Sequence, residues 1–394
     1  MIEMFQAFTE EIDDTEFAVS DVLKKLNLEG RLKKNTLGIL HCYPDFIDSG
    51  VVKAVCARLP FDVIGFSSMS FSAPGIMTAI GLTISVLTSD DVYFTAGASP
   101  SVTEDMPRAL SDVYKRVVIS PIPVVSQKPA MLIAFAPFLP SAIGGDEFVA
   151  CLDDLSNSCL LAGIPIFGAQ PVSNQPDFSN TYTIYNGEAS ETSLCLAALY
   201  GDVNPIFACV SVLEENMLKP SATVTGSDKS VLLSVNGVSA EEYLVSVGLA
   251  QNDNFNSLVS MPFVAENEDG SKLTRTCLSG DGKGGVVLCG NIPVGSRLGF
   301  AAMGPADIVK STGDKLREVM GIAAGKNLLI YSCAVRNWLL DMNSMAEHET
   351  AGDIIGDKAP YQLTYGGGEI FPQWLGDGKI VNRFQNDTMI ICIL

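Results

Sequence analysis

The sequence predicts an α/β protein built from two tandem α/β domains, and three observations carry that expectation. Apolar strand-like runs alternate with amphipathic helical stretches along most of the chain. One strand-helix-strand arrangement occurs twice in the first half. The chain also has 394 residues, 47% of them hydrophobic and 18% charged, where ~25% charged is usual. That length and composition suit two or three domains with large buried surfaces and exclude a disordered chain.

The first 35 residues carry no assignable motif. TLGILHCYPDF (Thr36–Phe46) is an apolar strand that turns at Pro44, SGVVKAVCARL is helix-like, and FDVIGFSS is a second strand. AIGLTISVLTSD supplies another strand and TEDMPRALSDVYKRV an amphipathic helix. From Pro129 the order repeats: AMLIAFAPFLP as strand, GDEFVACLDDLSNSCLLAG as helix, IPIFGAQPVSN as strand. TYTIYNG, TSLCLAALYG and PIFACVSVL, punctuated by turn pairs, read as an antiparallel extension. The polar, turn-rich ENMLKPSATVTGSDKS places a boundary near residue 225, giving domains 1–225 and 226–394.

After VLLSVNGVSAEEYLVSVG, the second domain alternates again. VVLCGNIPVGSRLGFAAMG is a strand pair, DIVKSTGDKLREVMGIAAG a helix, NLLIYSCAV a strand and RNWLLDMNSMAEH a helix. QNDTMIICIL has no charge after Asp387 and reads as a buried central strand.

Composition narrows the function. Lys+Arg number 25 against 45 Asp+Glu, a net charge of -20 that repels a phosphate backbone, so nucleic acid is excluded as a partner. Two histidines and no Cys-x-x-Cys pair among ten cysteines rule out a zinc ribbon and predict no metal site. The thiols lie mostly in apolar runs, which fits a reducing cytosol. The acidic start shows no export signal, and the long charge-free windows are broken by Pro and Gly, so no membrane span is expected.

Gly280, Gly282 and Gly285 have dinucleotide-loop spacing, but a β-type run follows, so Asp281-Gly282 reads as a hairpin turn. Ser67, two residues after a strand-end glycine, resembles a nucleophile elbow only in part, since Met69 stands where glycine is wanted. Ser67, Ser68, Ser70 and Ser72 form either a polar pocket lining or a hydroxyl-rich turn. Arg336 follows the strand that ends in Cys333 and must find solvent or an acid, for which Glu369 is the candidate. The pair is either a structural bridge or an arginine fork that grips a carboxylate ligand. Arg336, Glu369 and Asn386 are expected to converge on one pocket. His41 is a strand-end histidine, with haem ligation as its functional alternative.

Taken together, LGILHCY, GFSS, MLIAFAPF, IPIFGAQP and YNG, then SVNGVSAEEYL, MPF with Leu-Thr-Arg, NIPVGSRLGF, YSCAVR, YGGGEIFP and FQNDT, resemble the FIST family from about residue 36 to the end. In that family a FIST N-terminal domain precedes a FIST C-terminal domain. The resemblance departs at Met69 and Ser70, which replace a small residue and a glycine. It implies a bacterial, cytoplasmic sensory protein of signal transduction that binds amino acids or related metabolites. It implies no reaction and no cofactor, and signalling through a separate kinase or cyclic-nucleotide enzyme. The ligand-binding residues it implies are Ser67, Ser68, Arg275, Cys333, Arg336, Glu369, Asn386 and Thr388. A haem-linked nitric-oxide sensor, with His41 as the iron ligand, and a hydrolase using Ser67 or Cys333 are the alternatives.

Overall fold

The computed structural model describes residues 1–125, 127–139, 143–175, 178–250, 256–323 and 325–394. Pro140 and Ala324, at the ends of an expected strand and an expected helix, lie outside them.

A complete unit begins in the motif-free first 35 residues. It runs β1 (Glu3–Thr9), α1 (Thr15–Leu26), β2 (Asn35–Cys42), α2 (Asp45–Asp48), α3 (Val51–Cys56), β3 (Asp62–Ser67), hairpin β4 (Phe71–Ala73) and β5 (Ile76–Thr78), and β6 (Leu82–Ser89). The second unit runs β7 (Tyr93–Ala98), α4 (Met106–Tyr114), α5 (Ile122–Val125), β8 (Met131–Phe135), α6 (Gly145–Ser158), β9 (Ile166–Ala169), hairpin β10 (Thr183–Tyr185) and β11 (Glu188–Ser190), and β12 (Cys195–Tyr200).

A third unit starts with β13 (Ile206–Val210) and is interrupted by an antiparallel module. The module holds β14 (Met217–Asp228), β15 (Val231–Val235), β16 (Val238–Ser239), α7 (Ala240–Ser246), β17 (Phe263–Glu266), β18 (Lys272–Arg275), β19 (Cys277–Gly280), β20 (Val286–Leu288) and β21 (Arg297–Ala301). The unit then resumes with α8 (Pro305–Ala323), β22 (Leu328–Cys333), α9 (Ala334–Leu339), α10 (Ala346–Ile354), β23 (Tyr361–Gly366), hairpin β24 (Glu369–Trp374) and β25 (Ile380–Gln385), and β26 (Met389–Ile393). The expected boundary near residue 225 falls within β14. The expected strand pair in VVLCGNIPVGSRLGF forms as β20 and β21, but β20 joins β15 and β19 while β21 joins β14 and β17. The single helix expected over RNWLLDMNSMAEH is two, because Asp341 at φ 50 breaks it.

The three six-stranded sheets share one plan: β1-β6-β2-β3-β10-β11, β7-β12-β8-β9-β24-β25 and β13-β26-β22-β23-β4-β5. In each, the third and fourth strands are parallel and every other neighbour is antiparallel. Each hairpin leaves its own unit and extends the sheet of another, so the units are closed into a ring. The inner faces of all three sheets build one core, through Leu37, Ile39, Ile133, Phe167, Leu329 and Ile390 among others. Helices cover the outer faces: α1 and α3 on the first sheet, α4 and α6 on the second, α8 and α10 on the third. Strands covered on both faces lose the alternation of a half-exposed strand, which explains the unbroken apolar runs in the sequence. Among the described residues, no helix is long and apolar enough to cross a membrane.

Register makes the threefold relation explicit. Leu40 pairs with Gly65, Ala134 with Gly168 and Ile330 with Leu363, and the next residues are His41, Phe135 and Tyr331. Their rings meet in a triangle with centroids 5.7, 5.5 and 5.8 Å apart at steep edge-to-face angles. His41 is fully buried there, neither ring nitrogen has a hydrogen-bond partner, and burial pushes its pKa down to about 3. His41→Phe should therefore raise stability by about 1–3 kcal/mol, since a ring of similar shape removes two unsatisfied polar atoms. A urea midpoint at pH 7 checks this, and a lower midpoint would sink it.

Candidate functional site

β22 lies between β26 and β23, and its carboxyl end meets the inserted module. At that junction a cavity of about 150 Å³ opens. The ring contributes Phe138, Phe178, Gly367, Asn386 and the turn Cys333–Val335 with Trp338; the module contributes Val259, Thr276, Cys277, Leu278 and Cys289. Phe138, Phe178, Leu278 and Cys289 are shared with an adjoining chamber of about 320 Å³. The placement follows a general rule of α/β sheets, in which ligands sit beyond the carboxyl ends of parallel strands.

The glycine run before Glu369 is dictated by space. A Cβ on Gly367 would lie 2.8 Å from the Pro171 carbonyl oxygen, and one on Gly368 would lie 2.1 Å from the Phe384 ring. Without side chains, the loop passes close enough for Asn386 to stand over it.

Asn386 is buried, and neither its Oδ1 nor its Nδ2 has a partner. Beside it, Thr388 donates to Glu369 Oε2 at 2.8 Å and Thr276 donates to Asp387 Oδ1 at 2.9 Å. Glu369 Oε1 and Asp387 Oδ2 are left bare. Buried polar groups are normally satisfied, so a cluster of four bare atoms needs an explanation. Burial, with the neighbouring Asp387 carboxyl, holds Glu369 well above the usual carboxylate range, and burial pushes Asp387 up to about 7. Asp387 takes φ 55, a left-handed conformation that Asp and Asn tolerate better than most residues.

Arg336 does not pair with Glu369. It is fully buried and binds Glu347 on α10, with Nη2 at 2.8 Å and Nε at 3.2 Å from Oε1. Thr312 also donates to Oε1, while Ser332 and Tyr365 donate to Oε2. Burial alone would raise Glu347, but Arg336 and these hydroxyls hold it below its usual range. The structural reading of Arg336 is thus the observed one, with a different carboxylate.

Of the residues singled out in the sequence, Cys333 and Asn386 line the cavity, Thr388 bonds Glu369, and Glu369, Arg275 and Arg336 do not line it. Arg275 binds Asp146 at 2.8 Å and donates to the Phe384, Thr274 and Asn291 carbonyls, bracing the module against α6. Ser67 and Ser68 are placed elsewhere. Ser67 Oγ accepts from the Tyr182 amide, and Ser68 Oγ donates to the Tyr365 carbonyl at 2.6 Å. Neither lines the two chambers.

Sequence reasoning missed Thr276, Asp387 and Glu347. Asp387 had a signal, as the last charge before a buried strand; Glu347, in a polar helical stretch, had none.

The hydrolase arrangement is not formed. His348 is shared between Ser72 Oγ at 2.7 Å and Ser70 Oγ at 3.0 Å, His41 is in the core, and burial holds the Cys333 thiol far above its usual range. Neither imidazole bonds Ser67 or Cys333. Neither chamber borders His41, the iron ligand of the haem alternative. Asp281 accepts from the Lys283 and Gly285 amides, forming the hairpin turn expected there.

Family models match a FIST N domain at residues 36–238 and a FIST C domain at residues 239–372. The chain belongs to the FIST family. FIST domains are sensory domains of signal transduction. In this FIST protein, Ser70 sits at φ 51, in the left-handed region that glycine enters freely. The FIST N and FIST C matches meet within β16, so both contribute to the module. Asn386, which lines the cavity, lies beyond the FIST C match. No curated protein matches the sequence. Among solved structures, phosphoribosylformylglycinamidine synthase II from Thermotoga maritima is similar at 8% identity and a TM-score of 0.20, covering 100% of this chain and 72% of that one. A superposition so loose carries no argument about fold or activity.

Proposed function

We propose that this FIST protein senses a small metabolite, an amino acid or a related compound, held in the cavity between the ring and the inserted module. Its state would be read by a separate signalling protein such as a kinase or a cyclic-nucleotide enzyme. The observation that carries the reading is Asn386, whose donor and acceptor are both buried and bare in the cavity wall. The walls are otherwise largely apolar, with Phe138, Phe178, Val335 and Trp338 around few polar groups, the usual make-up of a small-molecule site. Because the walls belong to two bodies, an occupant favours whichever arrangement of module and ring it touches on both sides. That differential contact is what a sensor needs.

Calorimetric titration with the protein amino acids and their simple metabolites tests the reading. At least one compound should bind the native chain, and Asn386→Leu should weaken it about tenfold or more, as expected for a lost polar contact. The variant should melt no lower than the native chain, because leucine has no bare amide to bury. A panel with no saturable heat, or equal affinity in the variant, would overturn the reading.

A further inference from the structure

We propose that Phe178 is the gate of the cavity: its ring closes the inner space toward the adjoining chamber and turns aside to admit a ligand. This deepens the preceding reading and rests on it for what enters, but the gate itself is tested without any metabolite.

Four side chains line both spaces and so form the wall between them: Phe138, Phe178, Leu278 and Cys289. The ring of Phe178 lies 5.2 Å from that of Phe138 and 5.2 Å from that of Trp338, which lines the inner cavity alone. Residues that line only the inner cavity include Thr276, Cys277, Cys333 and Asn386, all of them buried. Those that line only the chamber include Asp228 and Lys229, both exposed. Phe178 therefore stands in the partition between a space that meets solvent and the space that holds the bare Asn386 amide.

The backbone supports the same role. Phe178 has φ 58, a left-handed conformation that a bulky side chain rarely takes. Two bonds pin it there: the Phe178 amide donates to the Gln175 carbonyl at 3.0 Å, and the buried Ser173 hydroxyl donates to the Ser179 carbonyl at 2.5 Å. Strained conformations of this kind persist where the surroundings fix them, and they gather at ligand clamps and switches. A fixed backbone leaves the side-chain torsions as the moving part. Turning the ring out gives up two aromatic contacts, which an occupant restores by placing an apolar or aromatic group against Phe138 and Trp338. The gate thus selects for such a group, which a wholly polar solute lacks.

The test labels the thiols of the full chain with methyl methanethiosulfonate at pH 8 and follows each cysteine by mass spectrometry. A thiolate takes the methylthio group to form a methyl disulfide and releases methanesulfinate. Cys277 and Cys333 line only the inner cavity, and burial pushes the first up to about 12 and the second far above its usual range, so the closed state hardly reacts and the rate reports opening. Phe178→Ala should label both about tenfold faster or more, the factor that one lost aromatic pair predicts. Phe178→Tyr, which keeps a ring in the wall, and Val287→Ala, in the wall of the chamber only, should label them at the native rate. Cys42 and Cys392, buried in the cores and lining neither space, should keep their native rates throughout, which shows that the fold is intact. Equal rates at Cys277 and Cys333 in the native chain and Phe178→Ala would overturn the gate. So would an acceleration that Cys42 and Cys392 share, or one that Phe178→Tyr or Val287→Ala reproduces. Faster labelling in Phe178→Ala with an amino-acid panel that shows no binding would overturn the small-ligand reading and leave the gate standing.

Discussion

Asp387→Asn should make the empty protein more stable at pH 8, by as much as roughly 4 kcal/mol, the linkage value of a carboxyl held about three units above its ordinary pKa. Since the folded pKa is raised to about 7, the folded chain keeps a proton that the unfolded chain gives up from about pH 4 upward. Stability of the native chain relative to the variant is therefore equal below pH 4. It then falls by ~1.4 kcal/mol per pH unit through the window and becomes constant above pH 7. Asparagine keeps the acceptor for Thr276 and suits φ 55, so the substitution removes the ionisation and little else. His41 and His348, whose pKa values burial lowers to about 3 and about 4, slope the other way, but both chains carry them and the difference cancels. Urea midpoints for the two chains from pH 4 to pH 8 measure this, and parallel curves would refute it.

Arg336→Ala should have the opposite sign at neutral pH. It leaves Glu347 fully buried with hydroxyl donors but no cation, a loss of order 3–5 kcal/mol. Arg336→Met combined with Glu347→Leu should lose less than the single change, because no charge is stranded. The pH dependence follows from Glu347, whose folded pKa lies below its usual value: the stability it contributes is present above the ordinary glutamate range and lost as pH falls through the folded pKa. Chemical denaturation of the three chains decides it, and a single variant as stable as the double would show that the pair contributes nothing.

The two cases mark what could be read from the chain alone. The strands LGILHC, MLIAF, LLIYSC and MIICI were legible because burial on both faces leaves an unbroken apolar signature. The duplicated unit was legible for the same reason. The third copy was hidden, since the module separates its first strand, Ile206–Val210, from the rest, and no local pattern says that a hairpin will join a distant sheet. Near the cavity, Glu369 and Asn386 were legible as polar residues beside buried strands, whereas Cys333 and Thr388 entered only through the family resemblance. The partner of Arg336 was not: Glu347 lies in the stretch that reads as one helix continuing from Arg336, and only the break at Asp341 turns α10 so that its glutamate meets the guanidinium.

The exchange of hairpins sets the order in which this protein can be completed during synthesis. β4 and β5 are finished by residue 78, but their partner β23 begins at Tyr361, and β13 waits for β26 at the far end of the chain. At roughly 5–20 residues per second, the first hairpin has no edge to join for about 15 s to a minute after it is made. Only the first sheet can be completed in that interval, when β11 ends at Ser190; the second waits for β24 and β25 and the third for β23 and β26. Pairings that distant make for slow folding, and open strand edges can pair with other chains meanwhile. A nascent chain of this architecture should therefore depend on whatever shields those edges on the ribosome, and truncations a few residues short of β26 should aggregate although most of their sequence is intact.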